Sequence, residues 1–134
     1  MNRRIDKAGT EKENEVLCDI FLHDLVDAGL AEKTIREHVS NASLFLEVIL
    51  DHDECRMVEG EDALYSFFSY YIRKCLWSTP SSVRRMGASL RKFYKSMIAH
   101  GKISREDGES FMWELKMSLD EFVEDCEAFN SLSW

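Results

Sequence analysis

Apolar residues recur at three- and four-residue intervals through most of the chain, the spacing that gathers them on one side of a helix. Between about Glu13 and Ala28, the residues Val16, Leu17, Ile20, Phe21 and Leu25 share a face, and Gly29 follows where a helix C-terminus favours glycine. Residues 1–12 are polar and charged and read as a frayed arm. A second helix is predicted from about Glu32 to Leu50, with Ile35, Val39, Ala42, Phe45, Leu46 and Ile49 on one side. Residues 51–60 lose the pattern and read as a loop. A third helix, from about Asp62 to Trp77, carries Tyr65, Phe67, Phe68, Tyr70 and Tyr71 almost all round its axis, which places it deep in a bundle. The fourth has the clearest start, Thr79 as N-cap and Pro80 in the first helical position, and continues through Val83, Met86, Leu90, Phe93, Tyr94, Met97 and Ile98 to Gly101. A fifth begins near Ser104 or Asp107 with a capping-type pair, although Gly108 blurs the boundary, and its stripe is Phe111, Met112, Leu115, Leu119, Phe122, Val123 and Cys126. No strand-like alternation occurs. The chain therefore reads as all-α: an arm (1–12), a four-helix domain (13–103) and an acidic C-terminal helix (104–134) packed on or extending it.

Composition adds bounds. The 134 residues suffice for one domain, and 45% apolar content with 8 Phe, 4 Tyr and 3 Trp supplies a core. No apolar run approaches the roughly 18 residues needed to span a bilayer, and the N-terminus lacks the apolar segment of a secretion signal. A soluble, cytoplasmic protein without membrane association is expected. The 4 cysteines contain no Cys-x-x-Cys pair. His52 and Cys55 form a lone His-x-x-Cys, a weak ligand signal. Cys18, Cys75 and Cys126 fall on apolar faces, where a thiol behaves as a small hydrophobe. No metal or cofactor is expected.

Charge changes the picture most. The formal net charge is −8, which by itself speaks against nucleic acid. Its distribution is uneven. Residues 71–105 contain Arg73, Lys74, Arg84, Arg85, Arg91, Lys92, Lys95, Lys102 and Arg105 and no acid, whereas both flanks are acidic. On a wheel with Val83 at zero, Arg84, Arg91, Lys95 and Lys102 lie at about 80–120° and Arg85 and Lys92 at about 180–200°. Ser81, Ala88 and Ala99 fall between these rows, so a phosphate backbone could approach closely. A charged row is more often a plain solvated face, and these cations could also pair with the acidic fifth helix. The absence of any acid over this stretch of an acidic protein favours a functional reading.

The stretch from Ala28-Gly29-Leu30 through Lys33-Thr34-Ile35-Arg36 to Val39, followed by Phe45-Leu46, resembles the second helix of a known domain. Ser81-Ser82-Val83-Arg84-Arg85 through Leu90-Arg91-Lys92-Phe93-Tyr94, ending in His100-Gly101-Lys102-Ile103, resembles its last helix. The domain is the SAM-like N-terminal, or core-binding, domain of tyrosine recombinases and phage integrases, and the resemblance covers about residues 13–103. It implies an orthogonal four-helix bundle that clamps one side of a DNA duplex. Position by position it implies contacts from Lys33, Thr34 and Arg36 at the start of the second helix, and from Arg84, Arg85, Arg91, Lys92 and Lys95 on the fourth. Phe93 and Tyr94 match core positions, so Tyr94 reads as packing, not as a nucleophile.

Departures from that pattern limit the reading. The family's catalytic residues belong to a separate domain, and none of His23, His38, His52 or His100 is followed by Arg three residues later. Recombination chemistry is not expected of this chain. The acidic C-terminal helix and the acidic first half are also unusual for a DNA clamp. The leading expectation is a non-catalytic module that binds duplex DNA mainly through phosphates, using Lys33, Thr34, Arg36, Arg73, Lys74, Arg84, Arg85, Arg91, Lys92, Lys95 and Lys102. The alternative is an interaction or regulatory module whose acidic fifth helix docks on a protein partner, on a second copy, or over its own basic face. That helix could equally just complete the bundle. An enzyme is the third class, and Asp51, Asp53 and Glu54 are better explained as a solvated acidic loop.

Overall fold

The structure is a computed structural model that describes residues 5–74 and 78–132. These residues form five helices: α1 (Lys7–Asp27), α2 (Glu32–Asp53), α3 (Leu64–Lys74), α4 (Pro80–Ala99) and α5 (Arg105–Leu132). A 3-10 segment, Met57–Ala63, joins α2 to α3, and no strand occurs among the described residues. The all-α reading holds. Cys75, Trp77 and Trp134 lie outside the described residues. No helix among those described is long and apolar enough to cross a membrane.

Local chemistry sets most helix ends. Thr79 Oγ1 accepts the Ser82 N–H (3.0 Å) while Ser82 Oγ accepts the Thr79 N–H (2.7 Å), a reciprocal cap on α4. Ser104 Oγ accepts the Asp107 N–H (3.0 Å) ahead of α5. Gly29 and Gly101 adopt φ values of 75° and 69° and close α1 and α4. At each, two backbone bonds fold back on the last turn: Gly29 to Val26 and Leu30 to Leu25, then Gly101 to Ile98 and Lys102 to Met97.

Two boundaries differ from the sequence expectation. Helix α1 begins at Lys7, not near Glu13, so half of the expected arm is helical. Asp6 caps it by accepting the Gly9 N–H at 3.0 Å. Polar links hold its first turns where apolar ones are lacking: Lys7 to Asp51 (3.0 Å) and a two-pronged Arg56–Glu13 pair (2.7 and 3.2 Å). The expected loop at 51–60 is also ordered. Helix α2 runs on to Asp53, and Glu54 turns the chain with φ 52°. The 3-10 segment then buries Met57, Gly60 and Ala63.

The core is aromatic. Phe45 of α2 is fully buried, with edge contacts to Phe67 (4.9 Å), Phe111 (5.8 Å) and Tyr94 (6.3 Å), which joins four helices at one point. Tyr94 stacks on Phe111 at 3.7 Å and donates to the Met57 carbonyl at 2.7 Å. Tyr94 is thus a packing residue, and burial pushes its hydroxyl well above the usual tyrosine range. Helix α3 is less enclosed than its composition suggested. Phe67, Phe68, Tyr71 and Ile72 are buried, but Tyr65 is exposed, and its hydroxyl meets Ser118 and Glu121 of α5.

Helix α5 completes the bundle. It buries Phe111, Leu115, Phe122, Val123 and Cys126, and runs antiparallel to α4, with Arg84 against Asp120 and Ile98 against Gly108. Gly108 is a point of close approach: a Cβ there would lie 2.5 Å from two side-chain atoms of Ile98.

Candidate nucleic-acid interface

Helix α4 has two opposed sides. Val83, Met86, Leu90, Phe93, Tyr94 and Met97 are completely buried, while Ser81, Arg84, Arg85, Ala88, Arg91, Lys92, Lys95 and Ala99 are exposed. The exposed strip lies between α2 and α5, which flank it. The small residues Ser81, Ala88 and Ala99 separate two basic rows. From Arg84 to Lys95 the strip is about 16 Å long, from the rise per residue of a helix.

The two rows meet different neighbours. On the α2 side, Arg85 pairs with Glu37 (2.9 Å) and donates to Ser81 Oγ (2.6 Å). On the α5 side, Arg84 meets Asp120 at 3.4 Å. All four groups are at least two-fifths exposed, so these pairs orient side chains more than they stabilise the fold. Among the described residues, no carboxylate lies within 4.0 Å of Arg91, Lys92 or Lys95. Helix α4 itself carries no acid.

The other expected residues divide. Lys33 and Thr34 are exposed in the first turn of α2, on the same side as Glu37 and so toward the α4 strip. Arg36 is exposed and held by Glu32 at 3.3 Å. Lys102 is exposed just past the C-terminal end of α4. Arg73 does not join the strip. It pairs with Asp125 (3.7 Å) and covers the Phe129 ring (5.9 Å), on a side of α5 remote from α4, and Lys74 adjoins it. The helical period separates Asp125 from Asp120 by about 140° around α5, which is why a single block in sequence becomes two places in space.

Only one acid of α5, Asp120, reaches the basic strip by an ion pair. Glu121 and Asp125 turn toward α3, where they meet Tyr65 and Arg73. The acidic helix therefore stands beside the basic strip and does not lie over it.

Three buried serines, Ser82, Ser89 and Ser96, repeat every seven residues on α4 and fix how the strip is presented. Ser82 closes the cap. Ser89 is bound by His38 Nδ1 (2.7 Å) and Asn41 Nδ2 (3.0 Å) of α2. The Asn41 amide donates to the Ser89 hydroxyl, which shares its second bond with the His38 ring. Burial holds the His38 pKa below the ordinary histidine value, aided by Lys92 and opposed by Glu37. Ser96 donates to Asp24 Oδ2 of α1 at 2.5 Å, and His100 Nε2 sits 2.9 Å from Asp24 Oδ1. The Ser96 bond, followed by His100, holds the Asp24 carboxyl below the usual range against its own partial burial. Serines at a heptad interval inside an apolar stripe were the available signal for these ties, and the sequence reading passed over them.

Two clefts differ in sign. One, of about 590 Å³ between α1 and α2, is edged by Glu11, Glu15, Asp19, Glu47 and Asp51 with Lys7, and repels polyanions. The other, of about 480 Å³, lies between α4 and α5 and is bordered by Arg84, Arg91, Lys95 and Lys116.

Cys126 is buried, and Cys18 packs half-buried at the core, where burial pushes its thiol up to about 11. His52 rests against Tyr70 at 4.9 Å, while Cys55 donates to the Asp53 carbonyl. Among the described residues no group of three or more His, Cys, Asp and Glu could hold a metal ion. No family model, curated protein or solved structure matches the chain.

Proposed function

We propose that the chain is a non-catalytic DNA-binding module that seats a phosphodiester backbone along the exposed strip of α4. The observation that carries this reading is the isolation of Arg91, Lys92 and Lys95: three neighbouring exposed cations on a helix without acids, with no carboxylate within ion-pair distance among the described residues. In an acidic protein such cations are readily neutralised, and these are left for an external anion. Ala88 and Ala99 keep the ridge low, so phosphates can approach the helix. Arg84 and Arg85 can exchange their exposed carboxylate partners for phosphate, and Lys33 and Thr34 extend the surface along α2. The role is that of a recombinase core-binding domain, which holds DNA and performs no chemistry itself. Binding is electrostatic and driven by counterion release, and the acidic surroundings keep it moderate.

Anisotropy titration of a labelled 20-base-pair duplex, at several salt concentrations between 50 and 200 mM, tests the proposal. Each phosphate contact contributes about 0.9 to the slope of log K against log salt. The triple variant Arg91→Ala, Lys92→Ala, Lys95→Ala should lower that slope by about 2 to 3. A slope that stays the same in a correctly folded variant refutes the assignment.

A further inference from the structure

The cleft between α4 and α5 holds more than phosphate recognition requires. Its floor is Gly87, Ala88, Met112 and Leu119, and the Trp113 indole stands on its α5 side, 62% exposed. The antiparallel pairing of the two helices places Trp113 level with Arg91, with Lys95 one turn further along. A duplex presents phosphate and sugar to a basic helix and would leave the indole and the apolar floor in water.

We propose that this cleft takes unpaired nucleotides of single-stranded DNA, a base stacking on Trp113 while the adjoining phosphates meet Arg91, Lys95 and Lys116. The inference rests on the nucleic-acid reading above and names its substrate. Charge selects the occupant. The cleft has two carboxylates, and both are engaged: Asp120 by Arg84 at 3.4 Å and Glu109 by Arg105 at 3.4 Å. Arg91, Lys95 and Lys116 have no carboxylate within 4.0 Å among the described residues, so the free charge of the cleft is cationic. An acidic ligand with a flat apolar portion satisfies both halves of the surface, and a nucleotide is such a ligand. The volume of about 480 Å³ is at the modest end of small-ligand sites, sized for a nucleotide or two. Arg91 and Lys95 are about 6 Å apart along the helix, close to one step of an extended strand. Stacking on an exposed aromatic with cations alongside is a general, sequence-tolerant means of holding single strands.

The test compares labelled oligothymidine of 12 nucleotides with a 12-base-pair duplex, titrated with the full chain at one ionic strength. Oligothymidine should bind more tightly than the duplex. Trp113→Ala should weaken oligothymidine binding about tenfold and leave duplex affinity and its salt slope unchanged. Trp113→Phe, which keeps an aromatic face, should recover most of the loss. An oligothymidine affinity unaffected by Trp113→Ala, or an equal loss for both DNAs, overturns the inference while leaving the phosphate-binding strip intact. If neither DNA binds, the underlying reading falls with it.

Discussion

Gly60 sits where the 3-10 segment crosses the ring end of Tyr94, and it tests the core with one methyl group. A Cβ at Gly60 would lie 2.2 Å from the Tyr94 hydroxyl oxygen and 3.2 to 3.3 Å from the Phe45 ring. The hydroxyl cannot step aside cheaply. It ends a rigid ring that is fully buried, stacked on Phe111 at 3.7 Å and bonded to the Met57 carbonyl at 2.7 Å. Gly60→Ala therefore forces either overpacking, about 1–3 kcal/mol, or loss of that bond with the carbonyl left unsatisfied, about 1–3 kcal/mol. The expected destabilisation is about 1–3 kcal/mol, a large part of a small domain's stability. Tyr94→Phe alone should cost about 1–2 kcal/mol. Combining them removes the atom that the methyl strikes. The double variant should consequently be more stable than additivity predicts by at least about 1 kcal/mol. Urea unfolding followed by far-UV circular dichroism measures all four corners of the cycle. Strict additivity would show that the hydroxyl is not the obstacle and would refute this account of why glycine occupies the position.

Other outcomes follow from the same geometry. The folded state holds His38 neutral, so its contribution is complete above the ordinary histidine pKa of about 6.5 and declines as pH falls through the lower folded value. His38→Gln should flatten the stability profile between pH 7 and 5, and an unchanged profile in urea midpoints would count against burial holding His38 neutral. Removing residues 105–132 strips Phe111, Leu115 and Phe122 from the core and should abolish cooperative unfolding; a truncated chain that still melts sharply would make α5 an accessory.

Much of the architecture was legible because helix periodicity and capping are local. The stripes of α2 and α4, the Thr79–Pro80 start and the glycine stops at Gly29 and Gly101 depend on residues within a turn or two of one another. The first turns of α1 were hidden because ion pairs to distant residues, Asp51 and Arg56, replace an apolar stripe there. The 3-10 segment was hidden for another reason. Its buried residues, Met57, Gly60 and Ala63, recur at intervals of three, which fits the tighter helix and not the period of 3.6 used to find α-helices. Gly108 looked like a break because sequence cannot show Ile98 arriving from α4. The basic rows of α4 could be placed on a wheel, but not the pairing of individual cations. That depends on Glu37 and Asp120 approaching from two other helices, and it is what separates Arg84 and Arg85 from Arg91, Lys92 and Lys95.

The heptad of serines has a further consequence. Through Ser89 and Ser96, α4 is fastened to α2 and α1 by hydrogen bonds whose geometry allows little rotation about the helix axis. Apolar side chains alone would tolerate a helix turning by a fraction of a residue, which would sweep every cation of the outer strip sideways. The serines index the helix, as a key fixes a wheel on its shaft. The outward residues are then free of any duty to the fold. Arginines and lysines can be gained, lost or moved along the strip with little change in stability, so the surface a polyanion would meet can be retuned one residue at a time while the inner face of α4 stays the same.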